Sequence, residues 1–273
     1  MKKVNLMILM LISLLVVSVI HPVSSNAGNA ESKRLQVDHL FQTTDGTIVI
    51  KNLRTDKTYT YNPERSETRY TPESSFKIPN ALIGLEEQAV ADEYEVKRWD
   101  GVVRAFETWN RDHSLASAMR QSAIWFYQDL ARYIGPVAMQ RHVDEMQYGN
   151  RDISGGIDTF WLNSSLKISA REQVDFIEDL VEETLPVQKQ HMKTVKRMMI
   201  AEEQDEYTVH GKTGTRLSDM GLGWFVGYVE TDKDTWVFAT NVDSSGTVAR
   251  NITMDCLEDL FLSTNAQEIA GNL

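Results

Sequence analysis

The sequence predicts a single α+β domain, in which strands from both ends of the chain form one antiparallel sheet and helices fill the middle. Its 273 residues, 42% hydrophobic and 25% charged, are enough to bury one sizeable core. Runs rich in β-branched and aromatic residues lie within 47–61 and 207–242, and helical periodicity fills the interval between them. A doubly wound α/β fold would instead alternate strands and helices along the whole chain.

The first 27 residues differ in kind from the rest. Two lysines precede an almost unbroken apolar run over 6–20, and small and polar residues follow over 24–27. This is the layout of a secretory signal peptide, and the run is short for an uncleaved membrane anchor. We therefore expect residues 1–27 to be a signal peptide that exports the domain, residues 28–273, to a periplasm, a cell surface or the medium. No stable membrane partner is expected after cleavage.

The N-terminal part of the domain is predicted to contain two strands and a helix. Residues 47–53 partly alternate apolar and polar side chains, and residues 57–61 can pair with them across a short turn. From Pro72 onward the apolar residues recur with helical spacing. They form one broad face: Phe76, Ile78, Ala81, Leu82 and Leu85.

The middle of the chain is predicted to be helical. Residues 115–134 and 137–146 are expected to form two helices, separated by a Gly-Pro pair. A capping box over 169–172 opens a further helix. Residues 192–203 are expected to form the last helix of this region.

Strands return in the C-terminal third. Residues 207–214, 222–231 and 234–242 are short, β-branched and aromatic, and the second and third of them form a hairpin. The chain then closes with an amphipathic helix. Its apolar residues are Met254, Leu257, Leu260 and Phe261.

Composition excludes several kinds of function. A single cysteine, Cys256, forms neither an internal disulfide nor a cysteine-based zinc site. The six histidines include no H-E-x-x-H pair, so we predict no metal site. A formal charge of −11 disfavours binding to nucleic acid, because phosphate contacts need a basic surface.

Two segments have the pattern S-x-x-K, which on a helix places a serine and a lysine on one face, one turn apart. The first is Ser74 to Lys77, at the start of a predicted helix, and the second is Ser164 to Lys167. A helix N-terminus favours negative charge on the serine, and a desolvated lysine can take its proton. A single S-x-x-K is more often a capping serine followed by a surface lysine, so the context decides between the two copies.

Three further elements supply that context. Lys212-Thr213-Gly214 ends a predicted strand, where the lysine and hydroxyl suit an anionic, peptide-like substrate that docks as an added strand. The glycines on either side, Gly211 and Gly214, let its backbone approach closely. Ser122-Ala123-Ile124 lies in the helical middle, and Tyr148-Gly149-Asn150 lies in a loop. Taken one at a time, these are better explained as a strand-end turn, a piece of helix core and a turn.

The order and spacing of the four elements point to one family. They start at Ser74, Ser122, Tyr148 and Lys212, at intervals of 48, 26 and 64 residues. In this arrangement the chain resembles the penicillin-recognising serine enzymes, and specifically the class D β-lactamases. The Ser164 copy follows Tyr148 and is out of this order, so we assign it to a loop.

Further stretches extend the resemblance over roughly residues 70–255. They are Trp99-Asp100-Gly101, Thr108 to His113, Asp152 to Gly156 and Phe160-Trp161-Leu162. Arg250, near the start of the last predicted helix, matches the arginine with which this family holds the substrate carboxylate.

The resemblance implies the fold of the β-lactamases and penicillin-binding transpeptidases, and the hydrolysis of small-molecule β-lactams. It implies that Ser74 forms an acyl-enzyme and that the backbone N–H groups of Ser74 and Thr215 form the oxyanion hole. It also implies that Lys77 carries a carbamate made from CO2 or bicarbonate, as general base in both steps, with no other cofactor. The residues expected to line the carbamate pocket are Phe76, Ile124, Trp161 and Leu162, with the Trp161 indole donating to the carbamate.

The other implied roles concern the substrate. Ser122 is expected to relay a proton to the leaving nitrogen, and Lys212, Thr213 and Arg250 are expected to hold the substrate carboxylate. Tyr148 is grouped with the substrate-binding residues, and whether it shapes the cleft or reacts stays open. The oligomeric state is open as well.

Ile124 bears on the alternatives. Most class D enzymes have valine at this position, whereas the related β-lactam sensor domains tend to have a polar residue there. Isoleucine keeps the pocket apolar and therefore favours an enzyme. The alternatives are a sensor domain that is acylated without turnover, a penicillin-binding transpeptidase or carboxypeptidase, and a secreted binding module without catalysis.

Overall fold

The computed structural model describes residues 32–259, so the predicted signal peptide, Leu260 and Phe261 lie outside it. Its strands are β1 (Lys33–Arg34), β2 (Gly46–Asn52), β3 (Lys57–Tyr61), β4 (Val96–Lys97), β5 (His113–Ser114), β6 (Ile200–Glu203), β7 (Tyr207–Thr215), β8 (Gly223–Thr231) and β9 (Thr235–Val242). Its α-helices are α1 (Pro63–Glu67), α2 (Lys77–Glu86), α3 (Leu115–Gln121), α4 (Ile124–Ile134), α5 (Pro136–Glu145), α6 (Ala170–Glu182), α7 (Lys189–Met198) and α8 (Gly246–Leu257). Within this range no helix is long and apolar enough to cross a membrane.

Strands from both ends of the chain share one sheet, which confirms the predicted fold class. Across residues 32–259 seven strands follow the order β1-β3-β2-β9-β8-β7-β6. The N-terminal hairpin β2–β3 joins the C-terminal strands where β2 pairs antiparallel with β9. The β1–β3 pair, two residues long, is parallel and departs from the predicted antiparallel pattern. Strands β4 and β5 form a separate small sheet.

The large sheet is covered on both faces. Ile48 and Ile50 of β2 belong to the core under α8, while Val49 between them belongs to the core of the helical side. This division follows from the alternation of side chains along a strand. Helix α8 packs on β7, β8 and β9, and α6 packs on β2, β8 and β9 from the other face. Both faces of the central strands are therefore buried.

The capping box and the strand boundaries are confirmed. Ser169 Oγ accepts the Glu172 N–H at 3.2 Å, and Glu172 Oε2 accepts the Ser169 N–H at 2.9 Å. Helix α6 begins at Ala170, directly after Ser169. The five predicted strands agree with β2, β3, β7, β8 and β9 to within one residue at each end. Local sequence therefore determines these elements.

The prediction of one helix over 115–134 is wrong. Helix α3 ends at Gln121, α4 begins at Ile124, and Ser122 between them has a left-handed backbone with φ of 55°. The segment contains neither glycine nor proline, so no local residue ends the helix. The end of α3 is instead stabilised from outside, because the Trp109 indole donates to the Gln121 carbonyl at 2.9 Å.

The predicted helix over 192–203 is also partly wrong. Helix α7 spans Lys189–Met198, and Ile200–Glu203 forms the edge strand β6. Strand β6 pairs with β7, with Ile200 opposite His210 and Glu203 opposite Thr208. Hydrogen bonds to the otherwise open edge of β7 outweigh the helical tendency of this segment.

Candidate active site

The first S-x-x-K pair lies in a tight turn that leads into a buried helix. Ser74 belongs to a 3₁₀ helix over Glu73–Phe76, and Lys77 is the first residue of α2. Lys77 Nζ lies 2.8 Å from Ser74 Oγ, within the reach that proton transfer needs. Ser74 is 8% exposed and Lys77 only 1%. The serine thus keeps a little exposure, while the lysine is fully enclosed.

Burial controls the charge of Lys77. Loss of hydration lowers the pKa of Lys77 well below its ordinary value, and the nearby Lys212 acts in the same direction, while Glu73 acts against both. Behind the turn, Phe76 stacks on Trp161 with ring centroids 5.4 Å apart. The protein therefore favours the neutral amine, which is the form of lysine that can act as a base.

Trp161 has an unsatisfied hydrogen-bond donor. The side chain is 1% exposed, and its Nε1 has no acceptor among residues 32–259. An unpaired buried N–H group is costly and calls for an explanation. Of the other predicted pocket residues, Leu162 is half-buried and packs on the same core, and Ile124 is half-buried at the start of α4.

A second serine–lysine pair is formed by Ser122 and Lys212. Lys212 Nζ donates to Ser122 Oγ at 3.1 Å and to the Thr213 carbonyl at 2.8 Å. The break between α3 and α4 leaves Ser122 half-buried, with its hydroxyl facing β7. Burial lowers the pKa of Lys212 to about 7. Because Lys212 also lowers the pKa of Lys77, the two serine–lysine pairs lie within electrostatic range of each other.

The end of β7 runs directly against the nucleophile turn. A Cβ on Gly214 would lie 2.9 Å from the Pro72 carbonyl oxygen and 3.3 Å from the Ser74 backbone nitrogen. Only glycine allows this approach without displacing the turn. The next residue, Thr215, accepts the Gly246 N–H at its Oγ1 at 2.9 Å, which ties the strand end to the start of α8.

Tyr148 lies in the hydrophobic core, and its grouping with the substrate-binding residues stays a prediction. It is 1% exposed, and its hydroxyl donates to Gln173 Oε1 at 3.3 Å. Its ring meets the rings of Phe76 and Phe176 edge to face, with centroids 5.6 and 5.0 Å away. Burial raises the pKa of Tyr148, so the phenol stays protonated. The residue supports the nucleophile turn from behind.

Gly149 and Asn150 hold the segment that carries Trp161. Gly149 has φ of 56°, and a Cβ there would lie 2.1 Å from the Lys167 carbonyl oxygen. Asn150 Oδ1 accepts the Lys167 N–H at 2.9 Å, and its Nδ2 donates to the Ser165 carbonyl at 2.8 Å. The second S-x-x-K segment is thus an irregular loop rather than a helix, and Lys167 is exposed.

Arg250 is paired with the edge strand. It lies about one turn after Gly246 in α8, and its Nη2 donates to Glu202 Oε2 at 2.8 Å. The Tyr207 hydroxyl donates to the other oxygen of the same carboxylate at 3.1 Å. The contact of Arg250 with a substrate carboxylate stays a prediction.

One buried acidic residue of the site was not predicted from the sequence. Glu73 directly precedes Ser74, is 2% exposed and has a left-handed backbone with φ of 50°. A carboxylate beside the serine of an S-x-x-K pattern is the signal that could have found it. Its partners across the turn, Thr71 and Asn163, could be recognised only in three dimensions.

Comparisons with known proteins agree with this geometry. Residues 42–258 match the penicillin binding protein transpeptidase domain. The chain is 57% identical over 242 residues to the probable beta-lactamase YbxI of Bacillus subtilis (strain 168), covering 89% of this chain and 91% of that protein. It is 42% identical over 200 residues to beta-lactamase OXA-48 of Klebsiella pneumoniae, covering 72% and 75%. The solved structure of the class D beta-lactamase BAT-2 has a TM-score of 0.83 at 59% identity, covering 85% and 98%.

The transpeptidase-type fold, with its two serine–lysine pairs beside the end of a strand, defines the class of serine acyl-transfer proteins that recognise penicillin. Within that class, the chain belongs to the class D β-lactamase family.

Proposed function

We propose that this protein hydrolyses β-lactam antibiotics through an acyl-enzyme on Ser74. The observation that carries the proposal is the enclosed Lys77 amine, whose pKa burial lowers well below its ordinary value, 2.8 Å from the partly accessible Ser74 Oγ. Relatives at 57% and 42% identity are named beta-lactamases, which supports the same reaction here.

Each side chain has a defined task in this reaction. Ser74 Oγ attacks the lactam carbonyl carbon, and its proton moves to the base at Lys77. The N–H groups of Ser74 and Thr215 bind the carbonyl oxygen as it becomes negative. Ser122, which accepts a hydrogen bond from Lys212, passes its proton to the leaving nitrogen when the ring C–N bond breaks, and it regains a proton from the base at position 77, which is thereby free again. Water then attacks the ester carbonyl, the base at position 77 accepts the water's proton, and this proton goes to Ser74 Oγ as the ester C–O bond breaks.

The residues around Lys77 fit a lysine carbamate. Only a neutral amine combines with CO2, and burial favours that form of Lys77. Trp161 Nε1 is buried and lacks an acceptor within residues 32–259, and a carboxylate would supply one. Lys77 would carry the group and Trp161 would bind it. When bound, CO2 supplies a carboxylate base in place of the amine.

Two further features belong to the proposal. The apolar Ile124 at the start of α4 supports turnover rather than a stable acylated sensor, because it keeps this part of the site free of competing polar groups. Residues 1–27 have the layout of a signal peptide, so we propose that the enzyme acts after export.

The test is intact-mass measurement of the purified protein with excess benzylpenicillin, with loss of free penicillin followed in the same tube. A short-lived adduct with many equivalents consumed is expected, and bicarbonate should increase the rate. Ser74→Ala should abolish both the adduct and the turnover, whereas Ser164→Ala, in the other S-x-x-K segment, should behave as the parent. A stable one-to-one adduct would indicate a sensor, and the absence of adduct and turnover would contradict the proposal.

The charge of Lys212 predicts how activity depends on pH. Because burial lowers the pKa of Lys212 to about 7, the residue is charged below that pH and neutral above it. The attraction for a substrate carboxylate should therefore weaken as pH rises through 7, so kcat/KM should fall, mainly through a higher KM.

Lys212→Arg provides the comparison, because arginine keeps its charge throughout this range. In this variant the pH at which kcat/KM falls should be higher than in the parent by more than about one pH unit. A parent profile of kcat/KM that stays flat between about pH 6 and pH 9 would show that the charge of Lys212 does not govern binding.

A further inference from the structure

Gln173 of α6 reaches the turn that carries the nucleophile, and the proposed reaction gives it no task. Its Nε2 donates to Ser75 Oγ at 2.9 Å, and its Oε1 accepts the Tyr148 hydroxyl at 3.3 Å. The Ser75 hydroxyl in turn donates to the Pro72 carbonyl at 2.7 Å. Three hydrogen bonds therefore run in one direction, from Tyr148 through Gln173 and Ser75 to the backbone just before Ser74.

These hydrogen bonds are closed off from solvent. Gln173, Ser75 and Tyr148 are each 1% exposed. A buried polar group that loses its partner keeps the full cost of its desolvation, so each of these bonds matters more than one at the surface. The Ser75 hydroxyl gives its own proton to a carbonyl and can accept from a second donor, while the Tyr148 phenol needs an acceptor. A glutamine amide supplies both groups, and its two partners fix which way it points.

The turn that is held in this way also sets the contact between nucleophile and base. The Pro72 carbonyl accepts the Ser75 N–H at 3.1 Å, and a Cβ on Gly214 would lie 2.9 Å from the same oxygen. A shift of this carbonyl would therefore displace the turn relative to the end of β7. Ser74 Oγ belongs to this turn and lies 2.8 Å from Lys77 Nζ, a distance that leaves little tolerance for proton transfer.

We propose that Gln173 is a positioning residue for the nucleophile: its amide, oriented by Tyr148, fixes the Ser75 side chain and so keeps the nucleophilic oxygen within reach of its base. The inference rests on the proposed acylation of Ser74. Gln173 acts through Ser75 and does not touch the substrate. Helix α6, which packs on the sheet, thereby contributes to the geometry of the reaction.

Gln173→Met tests the proposal, because methionine has a similar length and lacks the amide donor and acceptor. Single-turnover acylation by the chromogenic cephalosporin nitrocefin, with enzyme in varied excess, gives the acylation rate constant and the substrate dissociation constant separately. We expect the rate constant to fall about 10- to 100-fold, because a small misplacement of a reacting group costs that much. The dissociation constant should stay within about twofold of the parent value. If Gln173→Met does not fold, Ser75→Ala removes the acceptor of the same amide and takes its place.

Gln173→Glu is the conservative variant and should restore the rate. Burial raises the pKa of a carboxyl group, so the introduced acid carries its proton at about pH 5.5. In that form it can donate to Ser75 Oγ and accept from the Tyr148 hydroxyl, as the amide does. We expect its acylation rate constant at this pH to lie within about threefold of the parent measured at the same pH.

A matched control separates positioning from loss of stability. The hydroxyl groups of Thr240 in β9 and Thr253 in α8 are hydrogen-bonded at 2.6 Å, and both residues are fully buried. Thr253→Val removes this bond and should lower the melting temperature while leaving the acylation rate constant unchanged. Partial unfolding lowers the amount of enzyme that reacts, whereas a displaced nucleophile lowers the rate constant of the molecules that do react.

The outcomes are distinguishable from those of the proposed function. A parent that is acylated and a Gln173→Met variant that is acylated equally fast would overturn the role of Gln173 alone. A defect of Gln173→Met confined to the amount of adduct, or an equal loss of rate in Thr253→Val, would make the residue structural only and would overturn it as well. Slow acylation in Gln173→Met that Gln173→Glu restores supports the role. A parent that forms no adduct on Ser74 overturns the proposed function and this inference together.

Discussion

Replacing Lys77 with alanine should lower kcat for benzylpenicillin by about 10³-fold or more. Its Nζ lies 2.8 Å from Ser74 Oγ, and the same group serves as the base in acylation and in deacylation. Loss of a positioned general base costs about 10²- to 10⁴-fold in one step, and here two steps lose it. Steady-state hydrolysis and the mass of any accumulated acyl-enzyme measure the effect.

The chain contains a matched control for this experiment. Lys167 occupies the same place in the second S-x-x-K segment, but it is exposed and belongs to an irregular loop. Lys167→Ala should therefore hydrolyse penicillin at the parent rate. Parent-like turnover by Lys77→Ala would show that the base lies elsewhere, and an equal loss in both variants would point to general destabilisation.

Trp161→Phe should raise the bicarbonate concentration needed for half-maximal activity by about 10- to 100-fold. The ring stacking on Phe76 is largely kept, whereas the buried indole N–H, which has no acceptor within residues 32–259, is removed. A hydrogen bond to a charged group contributes about 1.5–3 kcal/mol, which corresponds to that change in affinity. Activity measured against bicarbonate concentration checks the prediction.

Trp125→Phe is the corresponding control. Trp125 is also buried, but its Nε1 donates to the Trp109 carbonyl at 2.8 Å and is already satisfied. Its replacement should lower stability, by an amount visible in the melting temperature, without changing the bicarbonate dependence. If Trp161→Phe needs the same bicarbonate concentration as the parent for half-maximal activity, the Trp161 indole N–H does not bind the carbamate.

The backbone conformation of Ser122 could not be predicted from the sequence. Its place between Ser74 and Tyr148 in the order of the elements identified the residue, but the local pattern predicted an uninterrupted helix through it. A left-handed backbone at a residue other than glycine costs about 1–3 kcal/mol and persists only where surrounding contacts stabilise it. Here the contacts come from Trp109 and Lys212, which are distant in sequence.

The side-chain orientations of Tyr148 and Arg250 could not be predicted from the sequence either. A matching motif indicates that a residue belongs near the site, and it does not indicate which way the side chain points. Tyr148 points into the core toward Gln173, and Arg250 points toward Glu202 on an edge strand that was predicted to be helix. Both orientations depend on partners contributed by other elements of the fold.

The sequence by itself determined the α+β class, the five long strands, the capping box of α6 and the order of elements that identifies the family. These features depend on local periodicity, on capping chemistry and on spacing along the chain, which can be recognised without coordinates. Only the tertiary structure decided that Lys77 is enclosed, that Lys212 faces Ser122, and that Glu73 is buried beside the nucleophile. Burial and electrostatic range are properties of packing between distant segments, and these properties set the charge of the two lysines.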